Sequence, residues 1–470
     1  MKNLANKIWK FAPFVLIFLI FFIAPADTDL GWHLRYGEYF WQTGEILREN
    51  VLTYFLSNYE WSNSYFLYDI LTFRIWKFGG IGGLTIASGI LGSGLFWLFR
   101  KIETRREVAN CGLFLIFLAA AWGTFQLGFR AQIFSLAGIL ATFYLLKKSE
   151  SKPKFLFALP PLFLLWANLH GGFFLGLAIL IFWSVGKIFE KPRNFSKFLG
   201  IILASFLATL VNPFGIGIFT EAWQHFQTPM QDLIAEWITP NIWQQSAILT
   251  AAIFLLLAAW QKSRDKFFWS ATIISFAILA LAARRNIALF SLIILLAGSE
   301  IWSTEFLRLE KNKFISVGKN VLVGGGILFL LFTSVPRQLE TSRAENYCRA
   351  IPRNYPCGAV EFLRERGSAS QNIFSHFEWG GFLEWQLPAN RFFVDGRMPA
   401  WPTTIDQSPY SVYLSLIQAQ PGWEDFLTRL ETNQLLIGNG TFLDLELQKN
   451  NNPNWREVFR DEVAVVYESE

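Results

Sequence analysis

Charge is what this chain has least of. Only 16% of its 470 residues are Asp, Glu, Lys or Arg, against about a quarter in an ordinary soluble domain. That shortage excludes one large soluble globule. A 53% hydrophobic content and a mean hydropathy of +0.32 point instead to a polytopic membrane protein. Cysteine is scarce as well. Cys111 lies in an apolar run, Cys348 and Cys357 in a polar segment, and no metal-ligand cysteine spacing occurs. The spacing of Cys348 and Cys357 allows a disulfide without requiring one. Also missing are a Walker-type loop, a Rossmann glycine fingerprint, Gly-x-Ser-x-Gly and any zinc spacing. An energy-coupled pump and an ordinary soluble hydrolase are therefore disfavoured. The net charge of +5 is modest and sits in short basic loops, the mark of cytoplasmic helix ends rather than of a nucleic-acid partner.

What is present is a series of apolar runs. Phe11 to Ile23, counted from Ile8 to Pro25, is long enough to cross a bilayer. Lys2, Lys7 and Lys10 before it place the N-terminus in the cytoplasm. No small-residue cleavage site follows, so the run reads as a retained signal anchor. Residues 36–78 are mixed and aromatic, with Tyr36, Trp41, Trp61, Tyr65 and Trp76, which suits helices lying along the outer interface. The next span, near Gly80 to Leu98, ends in Arg100, Lys101, Arg105 and Arg106. Further spans are expected near 108–125, 131–147, 154–169, 171–187, 197–211, 243–261, 266–283, 286–302 and 319–335. Lys147/Lys148, Lys187/Lys191/Arg193, Lys262/Arg264/Lys266 and Arg308/Lys311/Lys313 then all fall inside. This alternation makes about eleven transmembrane helices. Residues 1–338 form the membrane domain, with 25–78 as its first outer loop, and 339–470 lie outside. In that last segment Asn372–Ser375, Arg391–Asp395, Gln434–Gly438 and Val463–Glu468 read as strands. Helical patterns at 358–366, 409–419, 423–431 and 441–449 separate them. The expected fold class is an α-helical polytopic membrane protein with a C-terminal extracytoplasmic α/β domain on a mainly parallel sheet.

Polar residues of the membrane region sort onto one side. Residues 25–40 leave the first span and place Asp27, Asp29, His33 and Arg35 within nine positions. Two carboxylates spaced by one residue share a divalent cation, or divide base and orienting roles; otherwise they are a solvated, idle patch. His33 follows Asp29 by one helical turn and shares its face, but a metal pair there lacks a third ligand. On the same outer side fall Arg130 and Gln132, Asn168 and His170, Asn212, Glu236, and Arg284 and Arg285. Arginines outside oppose the positive-inside bias, so each needs a partner. A phosphate or diphosphate suits the guanidinium fork; pairing with acids or snorkelling to headgroups is the other reading. His170 either donates to a phosphate or sugar or is satisfied by backbone carbonyls. Glu236-Trp237 either lines an acceptor groove or anchors at the interface. Asp395-Gly396-Arg397 follows a strand, where open α/β sheets place their sites, yet a structural turn docking this domain is the better reading. His376 has no partner pattern.

These residues resemble a known superfamily. An apolar first helix running into an outer Asp27-x-Asp29 loop, followed by interfacial helices, is similar to the GT-C integral-membrane glycosyltransferases. The run Asp27-Thr-Asp29-Leu-Gly-Trp32-His33-Leu, then Arg130-Ala-Gln132, Asn168-Leu-His170-Gly-Gly, Asn212-Pro-Phe-Gly, Arg285-Asn286, Trp379-Gly-Gly and Phe393-Val-Asp-Gly-Arg397 resembles an uncharacterised bacterial branch of it. The resemblance implies that Asp27 or Asp29 serves as catalytic base or metal ligand, and that Arg130 and Arg285 hold a lipid phosphate. It implies transfer of a sugar from a polyprenyl-phosphate donor to a saccharide, lipid or protein acceptor, at the outer face of the bacterial inner membrane. A Mg²⁺ or Mn²⁺ ion is an optional aid, and inversion follows if one carboxylate reaches the sugar carbon. A non-catalytic binder or transporter of a lipid-linked intermediate is the alternative, and a pseudo-enzyme scaffold a third. Transport needs a polar route through the membrane, and no continuous path of charges is evident.

Overall fold

The computed structural model describes residues 2–102, 107–124, 126–190, 192–228, 230, 234–305, 313–350, 355–367, 371–403, 407–450 and 452–470. Arg105, Arg106, Lys191, Arg308 and Lys311 of the expected cytoplasmic clusters lie outside them. The helices are α1 (Lys2–Phe21), α2 (Leu30–Thr43), α3 (Phe66–Ile102), α4 (Glu107–Ala120), α5 (Gln132–Ser151), α6 (Leu159–Ala167), α7 (Phe173–Glu190) and α8 (Phe195–Thr209). They continue with α9 (Gly217–Gln227), α10 (Ile242–Lys262), α11 (Lys266–Ala282), α12 (Ile287–Ile301), α13 (Lys313–Thr341) and α14 (Ala344–Ala350). Then come α15 (Cys357–Arg366), α16 (Gly380–Gln386), α17 (Pro409–Ile417), α18 (Trp423–Arg429) and α19 (Phe442–Asn450). The strands are β1 (Asn372–Ser375), β2 (Arg391–Phe392), β3 (Gln434–Gly438), β4 (Trp455–Arg460) and β5 (Ala464–Ser469). Two compact units result. One comprises Met1–Ile23, Thr85–Ile216 and Ile234–Leu339; the other Ala24–Leu84, Gly217–Leu233 and Glu340–Glu470.

The first unit is helical. Each apolar run expected there falls on a helix. Phe66–Ile102, Phe173–Glu190, Ile242–Lys262 and Val317–Thr341 are long and apolar enough to cross a membrane. Trp9–Phe21, Asn110–Ala120, Pro153–Ala167 and Lys266–Ala282 are shorter apolar helices. Packing inside the unit turns on glycine gaps. A Cβ at Gly138 or Gly176 would overlap the Trp166 indole, so only glycine lets that ring bury between α5, α6 and α7. On α13, Phe329 and Phe332 are exposed, a surface that hydrocarbon solvates and water does not. Lys187 binds Asp265 at 2.6 Å and Glu150 at 3.1 Å, tying together the α5, α7 and α11 ends at one end of the bundle.

The second unit is built on the sheet, in the order β2-β1-β3-β5-β4. Strand β1 runs parallel to β2 and β3, while β5 runs antiparallel to β3 and β4. The sheet is therefore mixed, which corrects the mainly parallel expectation. The reason is β4, whose Trp-Arg-Glu-Val-Phe-Arg sequence carries an exposed charged face and hides its strand pattern among polar residues. Strand β2 covers two residues instead of five, because Asp395 and Gly396 leave the ladder for a turn.

The aromatic stretch after α2 is a second correction. Residues 44–65 contain no long interfacial helix. They fold back on themselves through Asn50 N–H to Tyr59 O at 3.0 Å and Trp61 N–H to Arg48 O at 2.9 Å. Tyr54 N–H reaches Phe392 O at 3.0 Å, adding this segment to the β2 edge. Trp61, Phe55 and Leu52 are buried with Phe393, Trp401 and Tyr413 in one core. Packing against apolar side chains outcompetes the headgroup layer for these rings. Helix α3 starts at Phe66, well before the expected span, and changes direction at Gly80, whose φ of 56° and ψ of −152° suit glycine alone.

Candidate functional site

The acids lie at the start of α2, in the second unit. Residues 22–27 follow α1 without regular secondary structure, and Asp29 is the residue before the helix. Asp27 is buried and accepts from the Asp29 N–H at 3.3 Å. The Asp29 carboxylate does not cap the helix, so it is not spent on the orphan amides of the first turn. The positive end of the helix dipole nevertheless favours both charges. A Cβ at Gly396 would overlap Asp29 Oδ1, one at Gly31 would overlap the Gly381 carbonyl, and one at Gly381 would meet Thr28 O at 2.5 Å. Three glycines thus bring the Trp379-Gly-Gly and Asp395-Gly-Arg segments against the backbone that presents the acids.

His33 meets an acid far along the chain. Its Nδ1 stands 2.5 Å from Asp69 Oδ1, with both side chains buried, and Asp69 Oδ2 accepts from Asn63 Nδ2 at 2.7 Å. Asp69 was not a candidate from sequence. Its one signal is an acid among the aromatic residues at the start of α3. Arg35 pairs with Glu38 on the same helix.

Behind the acids, Arg397 is fully buried. Its Nε bonds the Asp395 oxygens at 2.9 and 3.0 Å, Nη1 bonds Tyr36 Oη at 2.6 Å, and Nη2 bonds Asn50 Oδ1 at 3.2 Å. Glu384 lies 3.7 Å away. Burial works to raise the Asp395 pKa, and Arg397 more than offsets it, so Asp395 stays ionised. Burial first, and Asp395 second, push Glu384 well above the carboxylate range. One cation therefore faces one anion and one neutral acid. Asp395-Gly-Arg397 is thus a lock between the strand-end turn and α2.

The basic candidates gather at one end of the first unit. Arg130, just before α5, donates to Gln126 Oε1 at 2.8 Å and to Glu236 Oε1 at 3.2 Å. The Arg285 guanidinium lies 4.7 Å from the Trp237 ring centre. The Arg284 N–H bonds Ile238 O at 3.0 Å, which docks this turn on the Glu236-Trp237 loop. Gln132 is the first residue of α5 and half-buried. Asn168 ties Leu164 O at 2.8 Å to Val211 O at 3.0 Å, a bond between helix ends. Asn212 closes its own loop onto Thr209 O and Gly215 O.

His170 sits in the α6–α7 turn. Its Nδ1 accepts from the Gly172 N–H at 3.0 Å and meets Ser135 Oγ at 2.6 Å. Trp166 Nε1 donates to the same Oγ at 3.0 Å, leaving the hydroxyl proton for His170. Burial pushes the imidazole pKa down to about 3, with Arg285 and Arg130 adding to it. His170 is neutral, and its proton is on Nε2. Arg130, Arg285 and a neutral imidazole thus lie at this end of the unit, with Glu236 bonded to Arg130.

Among the described residues, no group of three His, Cys, Asp or Glu is placed to hold a metal ion. Asp27 and Asp29 offer hard oxygen donors of the kind Mg²⁺ takes one or two at a time, with water and phosphate completing its shell. The pair fits such an ion and does not fit a closed protein cage.

No protein-family profile matches this sequence, and no curated protein matches it. Solved structures do. The chain is similar to the Archaeoglobus fulgidus oligosaccharyltransferase tethered with an acceptor peptide containing the NVT sequon. Identity is 11%, coverage 92% of this chain and 69% of that one, and the TM-score 0.58. It is similar to archaeal oligosaccharyltransferase AglB from Archaeoglobus fulgidus in complex with an inhibitory peptide and a dolichol-phosphate. There identity is 10%, coverage 94% and 70%, and the TM-score 0.57. The same archaeal protein in complex with Zn and sulfate matches at 11% identity over 90% and 67%, with a TM-score of 0.51. At such identities the likeness establishes a shared fold.

Proposed function

We propose that this protein is a membrane glycosyltransferase that moves a sugar from a polyprenyl-phosphate donor to an acceptor at the outer face of the membrane. The observation that carries the proposal is the fold: 92% of the chain follows a glycan-transferring enzyme, and two acids stand at the exit of its first helix. Arg130, Arg285 and the Nε2–H of His170 bind the donor phosphate, where charge grows as the glycosidic bond breaks. Asp27 or Asp29 takes the acceptor hydroxyl proton. The acceptor oxygen forms the new bond at the anomeric carbon, and the lipid phosphate leaves with the old bonding pair. Attack from the opposite face inverts the configuration. Asp27 and Asp29 would also hold a Mg²⁺ or Mn²⁺ ion, which when bound supplies Lewis-acid stabilisation of the leaving phosphate.

The test is transfer from a labelled polyprenyl-phosphate sugar with Asp27→Asn and Asp29→Asn. At least one variant is expected to lose about 10²–10⁴-fold in rate. Full activity in both defeats the assignment. Donor binding by the native protein with no transfer to any acceptor defeats the enzyme reading in favour of a lipid-sugar binder.

A further inference from the structure

The three parallel strands share a carboxyl edge, and the acids occupy only part of it. Past β1 and β3 the chain forms a cavity of about 400 Å³, within the range of small-ligand sites. Phe377, Tyr410 and Tyr413 wall it, Glu378, Gln418 and Thr441 reach it, and Phe442 stands at its mouth. Phe377 and Tyr410 meet edge to face at 4.6 Å. His376 also lines it, with its ring 5.2 Å from Trp379 and 6.0 Å from Tyr413. Its Nδ1 is buried and has no hydrogen-bond partner among the described residues.

We infer that this cavity is a carbohydrate subsite that seats a neutral sugar unit of the acceptor. Flat aromatic walls cover the apolar face of a pyranose, while a carboxylate, an amide and a hydroxyl answer its hydroxyl groups. The buried Nδ1 argues against a purely apolar ligand, since in either tautomer it needs a polar partner. Among the described lining residues there is no Lys or Arg, and Glu378 would repel an anion. Burial holds the His376 pKa down, so the ring meets its ligand uncharged.

The place of the cavity gives it a role. From His376 the chain makes a 3₁₀ turn, Phe377–Trp379, into α16. At about 2 Å per residue, Gly381 lies roughly 10 Å along that path. A Cβ at Gly381 would lie 3.6 Å from the Asp29 Cα. The cavity thus lies within a short glycan's length of the acids along this path, and only the word acceptor rests on the transferase reading.

Full-length protein in lipid nanodiscs is applied to a printed array of neutral and acidic glycans, and the best binder is titrated by tryptophan fluorescence. The expected result is retention of at least one neutral glycan. Its affinity falls about tenfold or more in Glu378→Gln and Phe442→Ala, both exposed positions that the fold tolerates, and in His376→Phe. No retained glycan, equal affinity in all three variants, or preference for an array of aromatic peptides overturns the inference. Asp27→Asn is expected to bind the glycan as well as the native protein does. Glycan binding with full transfer activity in both Asp variants therefore sinks the catalytic assignment and leaves the subsite standing.

Discussion

Arg397 and Glu384 are neighbours in a dry core, yet their substitutions should behave in opposite ways. Arg397→Met leaves the Asp395 charge buried without its counter-ion, which costs about 3–5 kcal/mol. Glu384→Gln replaces an acid that burial already keeps neutral, so the expected loss is under about 1 kcal/mol. Thermal unfolding in detergent checks both, and similar losses in the two variants would contradict the charge assignment. At this scale the sequence showed which residues were unusual but not whom they met. Asp27 and Asp29 were legible because they are separated by a single residue and follow an apolar run. His33 was legible as polar, but its partner Asp69 stands 36 residues away. Glu236 meets Arg130 across 106 residues. No local pattern encodes such pairs.

Helix α9 shows what an element can do with one buried acid. Ile218 and Glu221 point into the second unit, while Trp223 and Phe226 are exposed. Glu221 Oε1 accepts from Tyr59 Oη at 3.0 Å and the Ser62 N–H at 3.3 Å, which pins α9 to the 44–65 segment. Burial raises its pKa from 4.5 to about 7. The folded state binds the proton more tightly than the unfolded chain does. Stability is therefore full below the unfolded value and falls as pH rises to about 7. The lost amount is about 3 kcal/mol by linkage. Glu221→Gln should flatten the dependence, with a Tm near that of the native protein at about pH 5 and above it at about pH 8. An unchanged slope would show that Glu221 does not set it. Elements were legible wherever their pattern is local: the apolar runs all became helices. Strand β4 and the 44–65 fold-back were not, because a partner strand and a shared core decide them.

For the whole molecule, the informative feature is Cys348–Cys357, a disulfide with a Cα–Cα distance of 6.0 Å. Such bonds persist in oxidising compartments, which supports an extracytoplasmic C-terminal segment. Non-reducing peptide mapping should recover this bond, with Cys111 as a free thiol. Cys348→Ser should cost about 2–3 kcal/mol by loop-closure entropy. A phosphatase fused after Glu470 should be active in cells, and an inactive, cytoplasmic fusion would reverse the topology.

By itself the sequence determined the solvent and the scaffold. Membrane length, apolar periodicity and the lack of charge are local sums, and they dictated helices, a polar α/β segment and a pair of acids at the first helix exit. Tertiary structure decided the rest. It turned Asp395-Gly-Arg397 into a buried lock, took His33 for Asp69, and drew the aromatic 44–65 stretch into the sheet core. It also hollowed a cavity around His376, a residue with no pattern of its own. The physical reason is burial. Only when distant segments exclude water together do single charges, ring nitrogens and missing Cβ atoms acquire partners, and no reading along the chain can supply that distance.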